Sequence, residues 1–310
     1  MNVLSLFDGM SCARLALDRA GLPVTSYFAS EVDKYAITVA KANYPDTVHL
    51  GDVTKITAGD LPAVDLLIGG SPCQGFSFAG GQLAFDDPRS KLFFEFVRVL
   101  KECKPKYFLL ENVNMKQEFQ DVISEQLGCK PVDINSNIVS AQNRRRLYWT
   151  NIPVRSLPEN KRIYLKDILE DGFTDRDKAH CVDANYFKGG NLKSYFEKHR
   201  RQLVFDFADE ADAEGTMLAG HADLNGHDYN RRVYHPDGKA PTLAAASGGN
   251  LEPKTLASTT TWRKLTPVEV ERLQTVPDNY TNHVSNTQRY RMLGNGFTVD
   301  VIAFLLRGMK

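Results

Sequence analysis

The sequence predicts an α/β protein built on a doubly wound, mostly parallel sheet, with a smaller loop-rich domain inserted late in the chain. Three observations carry this reading. The first half of the 310 residues alternates short apolar runs with stretches of helical spacing. Those apolar runs are continuous rather than alternating in and out, as expected of strands covered on both faces. From about residue 172 the pattern gives way to segments rich in Gly, Asn and Thr, until one strongly apolar stretch closes the chain.

The elements follow in order. "NVLSLF" (2–7) reads as a strand, and "SCARLALDRAG" places Leu15, Ala16 and Ala20 at helical spacing before Gly21, a helix-stop signal. "TSYFAS" (25–30) is a strand, "DKYAITVAKANY" (33–44) a helix, and "TVHL" (47–50) and "DLLIGG" (65–70) are strands. After a polar, glycine-containing loop come a helix at "KLFFEFVRVLKEC" (91–103) and a strand at "KYFLLENV" (106–113). A helix at "QEFQDVISEQLG" (117–128) and a strand at "PVDINSNIV" (131–139) follow. Short strands are expected at "RRVYHP" (231–236) and "PTLAAA" (241–246). "TPVEVERLQTV" (266–276) predicts a helix with Thr266 as N-cap and Pro267 at its first position. The final "VDVIAFLLRGM" (299–309) belongs in the first domain's core, so residues 1–172 and 290–310 form one domain and 173–289 the inserted one.

Composition narrows the class. Apolar residues at 42% and charged residues at 25% describe an ordinary globular protein. No apolar run approaches the roughly 20 residues of a membrane span, and the N-terminus lacks a basic targeting region, so a cytoplasmic protein is expected. The 38 basic and 38 acidic side chains cancel, which argues against a protein that merely coats nucleic acid. Residues 140–163 nevertheless hold six Lys or Arg against one Glu, a stretch suited to phosphates. The five cysteines are far apart with no CxxC, which disfavours disulfides and a cysteine zinc site.

Every strand end in the first half carries a polar group: Phe7-Asp8-Gly9, then Glu31, Asp52, Ser71-Pro72-Cys73 and Glu111-Asn112. Ligands of such sheets bind outside the carboxyl ends of the strands. An acid after the second strand suits ribose hydroxyls and one after the third an adenine amino group. Because "FDGMSCA" is not GxGxxG, an adenosine without a pyrophosphate fits best, and S-adenosylmethionine is such a cofactor. Glu31 alone reads better as a surface carboxylate before a helix; its recurrence with Asp52 favours the cofactor. Cys73 sits at a strand-to-loop junction, where it is either a filler or a nucleophile activated as the thiolate. Glu111 emerges from a buried strand, which is costly unless the carboxylate is used or paired. The arginines of "QNRRRLYW" are its natural partners.

These motifs, in this order, resemble the cytosine-5 DNA methyltransferases, in particular the small bacterial and phage type II enzymes. The resemblance covers "LFDGMSCARLAL", "SEVDKYA", "GDV", "GGSPCQGFS", "DDPRSKLFFEFVRVL", "ENV", Gln142-Asn143-Arg144-Arg145-Arg146, "RKLTPVEVERLQTVPDNYT" and "RMLGNGFTVDVIAFLL". It implies a class I, Rossmann-like methyltransferase fold that takes S-adenosylmethionine, releases S-adenosylhomocysteine and needs no metal. By it Cys73 attacks C6 of a flipped cytosine, Glu111 engages N3, and Arg146, supported by Arg144, holds O2 and Glu111. Phe7 lies against adenine, Gly9 near the methionine, Glu31 on the ribose and Asp52 on the adenine amino group. Val32 and Val53 flank the adenine, Pro72 and Leu92 line the pocket, and Asn295 holds the amino-acid end. The family's FxGxG is Phe7-Asp8-Gly9-Met10-Ser11 here, without the second glycine, and some relatives carry an aromatic at Val32.

The second half resembles the target-recognition segment of such enzymes. The match implies duplex DNA as partner, with Arg232 reading a base, Tyr229 and Asn230 at the gap left by the flipped base, and Thr242 and Gly249 approaching DNA. Ser77 would face a phosphate. A monomer is expected, with a cognate restriction endonuclease in the same system. One branch of the family methylates transfer RNA, but the long segment before "RKLTP" favours duplex DNA. A non-catalytic DNA-binding member is disfavoured by the joint presence of Cys73, Glu111 and Arg146.

Overall fold

The computed structural model describes residues 1–72, 91–190, 192–198, 200–206 and 261–310, with the backbone of short strands at 210–211, 217–221, 232–234 and 254–255. The first half follows the expected order: β1 (Asn2–Leu6), α1 (Cys12–Ala20), β2 (Ser26–Ser30), α2 (Lys34–Asn43), β3 (Val48–His49) and β4 (Leu66–Gly70). Then come α3 (Lys91–Cys103), β5 (Tyr107–Val113), α4 (Gln117–Leu127), β6 (Val132–Asn135) and β7 (Arg145–Thr150). The strands form one sheet in the order β3-β2-β1-β4-β5-β7-β6.

Strands β3, β2, β1, β4 and β5 run parallel, whereas β7 pairs antiparallel with both β5 and β6. β1 lies between β2 and β4, so strand order reverses there and opens a crevice at the carboxyl ends. The continuous apolar runs have a direct cause. Successive strand residues point to opposite faces, and both faces are covered. Val3, Leu66, Ile68 and Leu109 enter a core with Leu17 of α1 and Val39 of α2, while Leu4, Leu67 and Leu110 meet Phe93 and Phe96 of α3 and Ile123 of α4.

Two expectations in this half change. β7, masked in the sequence by its consecutive arginines, emerges as a strand whose Trp149 is fully buried. "PVDINSNIV" is strand only over Val132–Asn135, because Asn135 caps a short 3-10 turn by accepting from the Asn137 N–H.

Past residue 172 the described elements are α5 (Leu192–Lys198), β8 (Leu203–Asp206), β9 (Glu210–Ala211), β10 (Met217–His221), β11 (Arg232–Tyr234), β12 (Lys254–Thr255) and β13 (Thr261–Lys264). They pair as a four-stranded sheet, β12-β11-β10-β9, and a two-stranded one, β13-β8. The strand expected at 241–246 lies outside the described residues. Three helices close the chain: α6 (Pro267–Leu273), α7 (Asn286–Asn295) and α8 (Val299–Leu306). α6 starts at the expected N-cap, and a capping box reinforces it, Thr266 accepting from the Glu269 N–H and Glu269 from the Thr266 N–H.

α8 packs beside α1 in the first core, held at its edge by the Arg19–Asp300 pair at 2.7 Å. Ala179, Val182, Tyr186, Leu265, Leu273 and Tyr280 belong to the same core, so packing is continuous across residue 172. The window 286–309 is apolar and long enough on average to cross a membrane. It consists of α7 and α8 with a break between them, and more than half of it is buried inside the protein.

Gly294 fixes the seat of α7. A Cβ there would run into the main chain of Asp183 and Ala184, which cannot swing aside. Gly294→Ala should therefore destabilise by about 1–3 kcal/mol, the usual cost of overpacking, read as a lowered thermal midpoint in circular dichroism.

Candidate active site

The carboxyl ends of β1, β2, β4 and β5 face one cavity of about 400 Å³. Its lining contains all the residues expected to hold a cofactor: Phe7, Gly9, Glu31, Val32, Asp52, Val53, Pro72, Leu92 and Asn295. Glu111, Arg144 and Arg146 line it as well. Cys73, the next residue in the chain after Pro72, lies outside the described residues, as do Ser77, Tyr229, Asn230, Thr242 and Gly249. Arg232 opens β11 opposite His221 of β10, and only its backbone is described.

The loop after β1 has an unusual backbone. Phe7, Gly9 and Ser11 all take left-handed conformations, with φ of 57°, 60° and 63°. For a non-glycine residue that costs on the order of 1–2 kcal/mol, so the surroundings must enforce it. They do so at several points. The buried Asp8 carboxylate accepts from the Tyr27 hydroxyl at 2.6 Å and from the Ser11 hydroxyl at 2.6 Å. Gly9 N–H donates to Glu31 Oε2 at 2.8 Å, and the Tyr280 hydroxyl donates to the Met10 carbonyl at 2.8 Å. Ser11 thus takes the left-handed backbone open to a glycine, and its hydroxyl helps hold the loop there. Burial pushes the Asp8 carboxyl above its usual range, against the opposing hydrogen bonds from Ser11 and Tyr27. The neighbouring Cys12 thiol is raised to about 12, first by burial and then by Asp8, and stays protonated at neutral pH.

Glu31 does more than the sequence suggests. Its Oε1 accepts from the N–H groups of Val32 at 2.7 Å and Asp33 at 2.8 Å, while Oε2 takes Gly9. An ionised carboxylate has about four acceptor sites, which leaves room for a sugar hydroxyl. Asp52 caps a short 3-10 turn through Oδ1, 3.0 Å from the Thr54 N–H, and this bond holds its carboxyl below the usual range. Val32 turns an apolar side chain outward, 74% exposed, on the cavity wall.

At the other end, Gly70 pairs with Glu111 in the β4–β5 register, and a Cβ on Gly70 would press on Phe297 and on Glu111 Oε2. Asn112 Nδ2 donates to Ser71 Oγ at 3.1 Å and steadies the exit from β4. Glu111 is 8% exposed, and Arg146 Nε lies 3.1 Å from its Oε1. That pair is a consequence of topology: β7 returns antiparallel, with Tyr148 opposite Glu111 and Arg146 opposite Val113.

Arg144, expected to support Arg146, is tied to the main chain behind the cavity. It is buried, and its guanidinium donates to the carbonyls of Val182 at 3.1 Å, Gly294 at 3.2 Å and Gly296 at 2.9 Å. It anchors the turn that carries Asn295. The basic stretch 140–163 is also largely engaged within the protein. Arg145 forks onto Asp133, Arg146 holds Glu111 and Lys161 meets Asp300. Among the described residues Arg155 and Arg162 are in no ion pair, while Arg145 and Lys161 keep half or more of their side chains exposed. No described group of three or more His, Cys, Asp or Glu is arranged to hold a metal. Residues that sequence reasoning missed are Tyr27 and Tyr280, whose hydroxyls fix the loop, and Cys181, which touches both Arg144 and Arg146.

A switch-point cavity with acids at successive strand ends and an antiparallel β7 at the far side defines the Rossmann-like fold of class I methyltransferases. Solved structures agree on the fold. Entamoeba histolytica methyltransferase EhMeth matches with TM-score 0.69 and 16% identity, covering 100% of this chain and 97% of that one. The S. pombe Dnmt2 methyltransferase matches with TM-score 0.57 and 19% identity, over 99% and 97%. The family model for C-5 cytosine-specific DNA methylase matches residues 1–310. Type II methyltransferase M.NlaX of Neisseria lactamica is 31% identical, over 100% of this chain and 96% of its own. Type II methyltransferase M1.ScrFI of Lactococcus lactis subsp. cremoris is 32% identical, over 97% and 76%. The chain belongs to the C-5 cytosine-specific DNA methylase family and is an enzyme of that family.

Glu31→Gln replaces one acceptor oxygen by an amide nitrogen facing main-chain N–H groups. A lost charge-assisted hydrogen bond is worth about 1.5–3 kcal/mol, so S-adenosylmethionine affinity should fall by roughly 10- to 150-fold in isothermal titration calorimetry.

Proposed function

We propose that the protein transfers a methyl group from S-adenosylmethionine to C5 of a cytosine in a short specific sequence of duplex DNA. The observation that carries this is the Glu111–Arg146 pair, almost out of solvent, in the same cavity as Glu31 and Asp52 and beside the strand exit that leads to Cys73. The lining suits the cofactor. Val32 offers an uncovered apolar face for adenine, Asp52 a spare oxygen for its amino group, Glu31 a remaining acceptor for ribose, and Asn295 an amide for the amino-acid end. When bound, S-adenosylmethionine supplies an electrophilic methyl group on a sulfonium.

The chain's residues make C5 reactive. Cytosine C6 is inaccessible in a stacked duplex, so the base is turned out into the cavity at a cost of about a few kcal/mol. The Cys73 thiolate adds to C6 as Glu111 passes a proton to N3, and the electron pair collects at C5. Arg146 donates to O2, where negative charge develops, while keeping Glu111 in place. After C5 is methylated, loss of its proton and expulsion of the Cys73 sulfur restore the ring double bond, and N3 returns its proton to Glu111. Arg144 supports this chemistry from behind, by holding the Gly294–Gly296 main chain.

On this reading the segment between the arginine motif and α6 reads the DNA sequence, with Arg232, Tyr229, Asn230, Thr242 and Gly249 at the interface. It acts in the cytoplasm of a bacterial or phage-infected cell, beside a cognate restriction endonuclease. The type II names of its relatives support this.

Bisulfite sequencing of mixed-sequence DNA, after incubation with protein and S-adenosylmethionine, is expected to reveal protected cytosines within one short motif. Cys73→Ser should abolish protection and leave cofactor binding within about twofold; substantial residual turnover in that variant would overturn the mechanism.

A further inference from the structure

The segment after β7 returns Cys181 to the cavity's arginines. Arg144 Nη1 lies 3.5 Å and Arg146 Nη2 3.8 Å from its sulfur, which is itself 3.7 Å from the Val182 carbonyl. The residue is exposed. Arg144 donates otherwise to main-chain carbonyls, Arg146 has Glu111 on its far side, Asp183 pairs with Arg200, and His180 is engaged with Arg176. Among the described residues, no carboxylate sits between the two guanidinium groups. The sulfur does.

We propose that Cys181 is a positioning residue of methyl transfer, its sulfur bridging Arg144 and Arg146 so that the Arg146 guanidinium is oriented between Glu111 and the flipped base. This rests on the role given to Arg146 above. Two hydrogen-bonding arrangements are open to the sulfur. As a thiol it donates to the Val182 carbonyl and accepts only weakly from the two cations. As a thiolate it accepts from both cations and lies between them. Burial disfavours the anion, but Arg144 and then Arg146 outweigh it and bring the thiol below its ordinary value. Arg146 also meets Glu111 and donates to the Arg145 carbonyl at 2.9 Å, so the sulfur adds to these points of attachment. A planar guanidinium held at three points keeps one orientation.

The test uses the full chain and two kinds of readout. Cys181→Ser and Cys181→Ala should lower kcat about tenfold, the loss of one charge-assisted hydrogen bond, with KM for S-adenosylmethionine unchanged. Cys181→Asp restores a fixed anion and should recover most of kcat. Equal kcat in all three variants and the wild type, or no recovery with Asp, overturns the proposal. The second readout needs no turnover: wild-type protein is treated with iodoacetamide across pH, and the peptide containing Cys181 is followed by mass spectrometry. Alkylation should reach half its maximal rate at a lower pH than that of a free cysteine in an unstructured peptide measured alongside; a midpoint at or above the peptide's overturns the bridge. Absence of DNA methylation by the wild type would strike the proposed function alone, because the alkylation profile reads the arginine–sulfur contact by itself.

Discussion

The contact between Glu111 and Arg146 is the constraint around which the cavity is built. Two opposite charges lie 3.1 Å apart with little solvent around them. Removing Arg146 would leave the buried Glu111 carboxylate without this partner, and breaking a buried pair typically costs about 3–5 kcal/mol. The pair exists because β7 runs antiparallel beside β5, against the direction of the strands on its other side. A parallel strand in that place would send Arg146 to the opposite end of the sheet. The one reversed strand is thus what brings a guanidinium to the carboxyl ends of β4 and β5, where the cavity lies.

The rest of the site is held by the same economy of shared groups. Glu31 accepts main-chain N–H groups from both sides of the crevice, tying the loop after β1 to the turn after β2. Asp8 fastens that loop from below through Tyr27 and Ser11, and Tyr280 reaches it from beyond α6. Arg144 clamps the turn after α7 to the segment around Val182. Segments distant in sequence therefore share one rigid floor, which suits chemistry that depends on near-contact geometry. It also explains how a serine at position 11 keeps a left-handed backbone: the hydroxyl that replaces the glycine's freedom is itself an anchor.

A residue is legible in the sequence to the extent that its role is local. Apolar runs and helical spacing reveal the first five strands and four helices, because a strand covered on both faces leaves an unmistakable run. Carboxylates at strand ends point to Glu31, Asp52 and Glu111 from the sequence alone, since their positions follow from the order of elements. β7 is not legible, because consecutive arginines mask the alternation of a strand whose neighbours take up the charge. Arg144 reads as a support for Arg146, but the main-chain carbonyls it serves are not legible, because they depend on where α7 ends. The basic stretch 140–163 suggests a phosphate-binding surface, yet half of its six charges are matched by Asp133, Glu111 and Asp300 from elsewhere in the chain. Cys181 carries no local signal at all, since only tertiary folding brings it to the arginines.

The central claim is that a cysteine at the exit of β4 attacks a cytosine whose ring is polarised by Glu111 and Arg146. Duplex DNA with 5-fluorocytosine at the methylated position addresses it directly, because fluorine at C5 leaves no proton to lose and the sulfur cannot be expelled. With S-adenosylmethionine present, the account predicts a protein–DNA complex that survives denaturation and whose cross-linked peptide contains Cys73. It further predicts that Glu111→Gln forms this complex at least about a hundredfold more slowly, as fits the loss of a positioned acid. No stable complex, or a cross-link at any other residue, would contradict it.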